Sequence, residues 1–165
     1  MPSVLFVCTA NRFRSPLAAA CFIKALEEKH PETAASWIVG SAGTWAASGQ
    51  SVIPPVSVAA QRLGLDLSHH RSARVSGPLL SAYDLIMVMQ ASQKEALQNE
   101  FPSLREYIHL FSSVVERCSY DIPDSFDSDQ DIETISLELS ELIRRGLPNI
   151  LVLATALHNR RNRMR

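Results

Sequence analysis

Cysteine is scarce: three in 165 residues, Cys8, Cys21 and Cys118. An odd, sparse set builds no disulfide framework, and the chain has no Cys-x-x-Cys. That usage points to a reducing compartment, so the chain reads as cytoplasmic. Charge of one sign is lacking too. The net charge is −1, which leaves no global footprint for nucleic acid or an anionic membrane. Long apolar runs are missing. The longest late run, 150–157, falls well short of the ~18 residues a membrane helix needs. The run 4–7 is too short for a signal peptide and has no charged region before it. The five histidines lack metal-ligand spacing, and neither a metal nor a cofactor is expected. There is no internal repeat and no low-complexity segment. Four arginines, Arg160, Arg161, Arg163 and Arg165, crowd the end of the chain, and they read as a frayed, solvated tail.

What is present is ordinary for a globular protein: 46% hydrophobic and 20% charged residues. The length suits a single domain spanning 1–165. Strand-like and helix-like segments alternate. Residues 3–8 are apolar and β-branched, which predicts a buried strand. Pro16 suits the first turn of a helix running to about Lys29 and stopping before His30-Pro31. Residues 37–41 predict a second strand, ended by Ala42-Gly43. Pro54 and Pro55 open a second helix that closes at Gly64. Residues 84–89 (DLIMVM) predict a third buried strand, 91–100 a helix, and 107–111 a short fourth strand. Ile132, Ile135, Leu139, Leu142 and Ile143 recur at helical spacing and predict a helix to Arg145, broken by Gly146-Leu147-Pro148. Periodicity leaves 149–158 open between helix and strand. This order argues an α/β fold: a four-stranded parallel sheet with helices on both faces. Ligands in such sheets bind beyond the carboxyl ends of the strands, and the loop after the first strand carries Cys8.

Residues 4–16 read VLFVCTANRFRSP. A bare Cys-x5-Arg is a weak signal, but its setting strengthens it. Backbone N–H groups converge where a strand turns into a helix, and they form an anion cradle. The same field favours a thiolate. Arg14 adds a planar fork matching two phosphate oxygens. Ser15 can donate its hydroxyl to the Cys8 sulfur. The plainer alternative is a buried cysteine at a strand end, with Arg14 and Ser15 as exposed helix residues.

These residues resemble the loop of the low-molecular-weight protein tyrosine phosphatases, V-C-x-G-N-x-C-R-S-P. Here it reads Val7-Cys8-Thr9-Ala10-Asn11-Arg12-Phe13-Arg14-Ser15-Pro16. Four further matches follow in the family's order: Ser41-Ala42-Gly43-Thr44; Gly64-Leu65-Asp66-Leu67-Ser68 with His70-Arg71; the strand 84–89; and Asp121-Ile122-Pro123-Asp124. The resemblance covers about 3–145, with 146–165 as a C-terminal extension. It implies a phosphatase of phosphorylated proteins or peptides. Cys8 is the nucleophile that forms a phosphocysteine, and Arg14 clamps the phosphate. Asp124 is the general acid and base. Thr9, Ala10, Asn11, Arg12, Phe13 and Ser15 complete the phosphate loop. By the same resemblance Asn11 holds an unusual backbone conformation, buttressed by Ser41 and His70.

Several positions depart from the family pattern. Ala10 replaces a Gly and is strained if that position needs φ > 0. Phe13 replaces a second loop cysteine, so no disulfide can form within the loop. Arg12 replaces a small or apolar residue; it either favours acidic sequence around the substrate phosphate or points to solvent. Ser125 replaces a Pro, and Phe126 and Asp127 replace a tyrosine pair. Gln90 stands where an Asp is common and can form no ion pair. Asp127 is the second choice for the acid, because the cluster Asp121, Asp124, Asp127, Asp129 and Asp131 also suits helix capping. Trp45 either walls the pocket or packs on the core. The alternatives to a tyrosine phosphatase are a protein-arginine phosphatase or a degenerate member that binds phosphate without turnover. Arsenate reduction is disfavoured, because it needs a cysteine relay.

Overall fold

In a computed structural model, which describes residues 1–125 and 131–164, the run Ser3–Cys8 is strand β1, buried at every position. It pairs in parallel with β2 (Ile38–Gly43) on one side and β3 (Leu85–Val88) on the other, and β4 (Ile108–Leu110) pairs in parallel with β3. The spatial order is β2-β1-β3-β4. The chain therefore reverses its direction of travel across the sheet at β1. That is the switch point, where the strand ends leave a crevice. Helix α1 (Arg14–Lys29) begins six residues beyond Cys8 and packs on β1 and β2.

The other long helices are α3 (Pro54–Arg62), α5 (Ala91–Glu100) and α7 (Ile132–Arg163). Short pieces join them: α2 (Pro31–Ala34), α4 (Gly77–Ser81), a 3-10 turn (Pro102–Tyr107) and α6 (Phe111–Glu116). Helices flank the four-stranded parallel sheet, as expected. The predicted fourth strand is trimmed at both ends, because Tyr107 closes the 3-10 turn and Phe111 opens α6. Gly64, with φ +72, ends the α3 segment in the left-handed region that glycine adopts without strain.

The largest correction concerns the end of the chain. The Gly146-Leu147-Pro148 break does not occur, and α7 runs unbroken through Pro148 to Arg163. Gly146 lies where α6 approaches most closely: a Cβ there would sit 2.5 Å from the Cβ of Val115. Pro148 and Arg144, the residue whose carbonyl loses its N–H partner, are both exposed, which leaves that carbonyl on the solvent side of the helix. An interior proline costs about 3 kcal/mol. Burial of Leu147, Ile150 and Leu157 offsets it at ~1.5–3 kcal/mol per side chain.

The arginines do not form a frayed tail. Arg161 donates to Ser81 O at 2.6 Å and covers the Tyr107 ring at 4.3 Å. Arg160 pairs with Glu106 at 2.8 Å. Buried Asp84 receives His158 Nδ1 at 2.8 Å and also holds Ser3 Oγ at 3.0 Å. The last turns of α7 are thus tied to the starts of β1 and β3. Arg165 lies outside the described residues.

Candidate active site

Cys8 ends β1 at 2% exposure, and its sulfur lies 3.0 Å from Ser15 Oγ in the first turn of α1. No side chain caps that helix. No carbonyl of a described residue accepts the backbone N–H groups of Ala10, Asn11, Arg12 or Phe13. A thiol, an uncapped helix N-terminus and a run of unclaimed N–H groups therefore share one loop.

Asn11 builds the loop. Its φ is +56, in the left-handed region, which Asn tolerates better than most residues. Its Nδ2 donates to Ser15 Oγ at 2.8 Å and to Ser41 Oγ at 2.9 Å, and its Oδ1 accepts from Ala73 N at 2.9 Å. Every polar atom of the side chain is thereby used, which fixes the amide orientation. His70 Nε2 lies 2.8 Å from Asn11 O. A carbonyl can only accept, so Nε2 carries the proton. Burial pushes the His70 pKa down, against the opposing effect of that bond, and favours the neutral ring. Ser41 and His70 thus both hold Asn11, one through its side chain and one through its carbonyl. Gly43 lets β2 pass close to the loop, since a Cβ there would overlap the Thr9 carbonyl. Thr44 N and Trp45 N donate to Cys8 O and Thr9 O, each at 2.9 Å.

Arg14 is 1% exposed. Its NH1 donates to Ile122 O at 3.0 Å. Its NH2 reaches Asp124 Oδ2 at 3.0 Å and Thr9 Oγ1 at 3.4 Å. Its Nε has no partner among the described residues. Asp124 belongs to a segment pinned upstream: Ile122 N donates to Met89 O at 2.9 Å, and Asp121 Oδ1 accepts from Ala91 N at 2.8 Å. Asp124, 110 residues from Arg14 in sequence, thus meets the loop that carries Cys8, Arg14 and Ser15. Phe126, Asp127 and Asp129 lie outside the described residues.

The departures resolve individually. Ala10 is not among the positive-φ residues, so it carries no strain. Phe13 is buried in the core at 5% exposure, and only its backbone is left to serve the loop. Arg12 donates Nε to Ser51 O at 2.7 Å, which anchors its side chain beside the loop. Trp45 is 76% exposed under the Arg74 guanidinium and does not pack on the core. Cys21 is buried, and burial pushes its thiol up to about 11, the opposite of what a reactive relay needs. Gln90 caps α5 together with Gln93. Gln93 has no signature in the sequence, because a capping box is ordinarily opened by Ser, Thr, Asp or Asn rather than by a residue such as Gln90.

The model of the family described as low molecular weight phosphotyrosine protein phosphatase matches residues 3–161. A probable low molecular weight protein-tyrosine-phosphatase, EpsP of Ralstonia nicotianae, is 31% identical over 145 residues, covering 88% of this chain and 90% of its own. A protein-arginine-phosphatase of Bacillus subtilis is 29% identical over 143 residues, covering 86% and 92%. A solved structure of the arginine phosphatase YwlE with a phosphorylated active-site serine superposes with a TM-score of 0.80 at 26% identity, covering 90% of this chain and 95% of that one.

Proposed function

Because the chain belongs to the low molecular weight phosphotyrosine protein phosphatase family, we propose that it removes phosphate from tyrosine in phosphorylated proteins through a phosphocysteine on Cys8. The sulfur attacks phosphorus in line, and a P–S bond forms as the P–O bond to the aryl group breaks. Asp124 gives its proton to the departing oxygen. Its carboxylate then takes a proton from the water that attacks phosphorus, and inorganic phosphate and the Cys8 thiolate are released. Ser15 donates to the sulfur as it leaves. Arg14 and the N–H groups of residues 9–15 hold the three non-bridging oxygens. Asn11, Ser41 and His70 keep the loop in the shape that aims those groups inward.

The observation that carries this reading is the Arg14 guanidinium, 1% exposed with its Nε unpartnered among the described residues. A buried N–H without an acceptor costs about 1–3 kcal/mol. A phosphoryl oxygen supplies the missing acceptor. The dianion also competes with Asp124 for NH2 and so releases the carboxyl toward the leaving group.

The arginine-phosphatase relatives favour a second substrate class, phosphoarginine in proteins. Arg12, anchored on Ser51 O beside the loop, argues for tyrosine. A cation there opposes a guanidino group more than a neutral aryl ring. The unpaired cysteines fit the reducing cytoplasm, and no described helix is long and apolar enough to cross a membrane. Turnover of matched phosphotyrosine and phosphoarginine peptides, with Cys8→Ala as control, tests the assignment. The tyrosine peptide is expected to turn over faster. Faster turnover of the arginine peptide reverses the choice, and turnover of neither leaves a phosphate-binding protein.

A further inference from the structure

Gln93 is buried at 6% exposure on the first turn of α5, and its side chain faces the phosphate loop rather than solvent. Its Oε1 accepts two backbone donors, Met89 N at 3.1 Å and Gln90 N at 3.0 Å. That occupancy fixes the amide orientation. Nε2 is therefore turned toward Thr9 Oγ1 at 3.0 Å and Gln90 Oε1 at 3.1 Å. Thr9 Oγ1 also accepts from Arg14 NH2 at 3.4 Å. Both lone pairs of the Thr9 hydroxyl are then engaged, and its own proton is left as a donor. A helix cap needs only the Oε1 half of this side chain. The Nε2 bond to Gln90 stays within the cap, but the bond to Thr9 is one that a cap does not require.

We propose that Gln93 is a positioning residue for phosphoryl transfer: its amide N–H holds the Thr9 hydroxyl so that Thr9 steadies the Arg14 fork and offers its proton to the bound phosphoryl group. This rests on the phosphatase reading of the loop. Hydrogen bonds that converge on developing charge act without reorganisation at the moment of reaction. Loss of the orienting bond therefore falls on kcat rather than on KM.

Gln93→Glu separates the two halves. A carboxylate still accepts from Met89 N and Gln90 N but cannot donate to Thr9. We expect a melting point lowered by the buried carboxylate but a folded protein, a kcat on an aryl phosphate lower by roughly tenfold, a small part of the 10²–10³ lost with a direct oxyanion donor, and a KM within twofold of wild type. Gln93→Met in two backgrounds supplies the second arm. It should lower kcat about tenfold in the wild-type loop, but less than twofold when Thr9 is already Val, because coupled partners are not additive. An unchanged kcat in Gln93→Glu, or equal losses from Gln93→Met in both backgrounds, would overturn the proposal. Wild-type protein assayed alongside separates this failure from that of the phosphatase reading, which requires wild-type turnover.

Discussion

Arg14 NH2 lies 3.0 Å from Asp124 Oδ2, joining the first turn of α1 to the segment after Ile122 across 110 residues of sequence. The two side chains have different exposures, 1% for Arg14 and 17% for Asp124. The guanidinium is buried, while the carboxylate is partly exposed. Replacing Asp124 by Asn keeps a polar group at that place but removes the transferable proton. The kcat on an aryl phosphate with a poor leaving group should fall by about 10²–10⁴, and by much less when the leaving group needs no proton. Equal rates for wild type and Asp124→Asn on both substrates would remove Asp124 from the chemistry.

Asn11 combines a left-handed backbone with three side-chain hydrogen bonds. Asn11→Ala should destabilise the fold by about 2.5–6.5 kcal/mol, from left-handed strain of ~1–2 and three lost hydrogen bonds of ~0.5–1.5 each. Asn11→Gly loses the bonds but not the backbone freedom. Urea unfolding should therefore rank wild type above Gly and Gly above Ala. Equal stability of the Gly and Ala variants would mean that the φ of +56 carries no strain.

His70 is held below its ordinary pKa of 6.5, chiefly by burial. A folded chain that binds the proton more weakly than the unfolded chain loses stability as pH falls through 6.5. His109 is lowered by burial in the same direction and adds to the loss. Gln at position 70 can donate to Asn11 O without titrating. Between pH ~7.5 and ~5.5, urea midpoints should drop further for wild type than for His70→Gln. Parallel drops would show that His70 is not the titrating group.

Glycine-to-alanine in a helix interior ordinarily stabilises by about 0.8–1.0 kcal/mol. At Gly146 the sign should reverse, because the new Cβ meets Val115 Cβ at 2.5 Å and Val115 Cα at 2.7 Å. Overpacking of this kind costs about 1–3 kcal/mol. Thermal melting of Gly146→Ala decides it: a raised midpoint would mean that α6 yields easily.

The buried strands and the longer helices were legible because each repeats one physical pattern over enough residues. β1 and β3 are continuous apolar runs, and α1 starts beside Pro16. The pieces missed, α2, α4 and α6, have 4, 5 and 6 residues, too few for periodicity to register. Gly146 and Pro148 misled because their ordinary meaning is local. Here a close helix contact and a solvent-facing carbonyl reverse it, and neither is written in the neighbouring sequence. At the site, Cys8, Arg14 and Ser15 followed from a strand-turn-helix pattern. Asn11, Ser41, His70 and Asp124 came only through the family resemblance, since the contacts that join them to one another and to Arg14 span 30 to 110 residues. Gln93 was missed because its cap opens on Gln90 rather than on an ordinary capping residue.

The most direct test of the account is rapid quenching of the enzyme during aryl phosphate turnover, followed by mass analysis of the peptide that carries Cys8. The control is Cys8→Ala, because serine at the corresponding place in a relative is itself phosphorylated. Wild type should carry a phosphate on Cys8, trapped in greater amount by Asp124→Ala, and Cys8→Ala should carry none and lose turnover. Sustained hydrolysis by Cys8→Ala, or wild-type turnover with no phosphate ever found on Cys8, would contradict it.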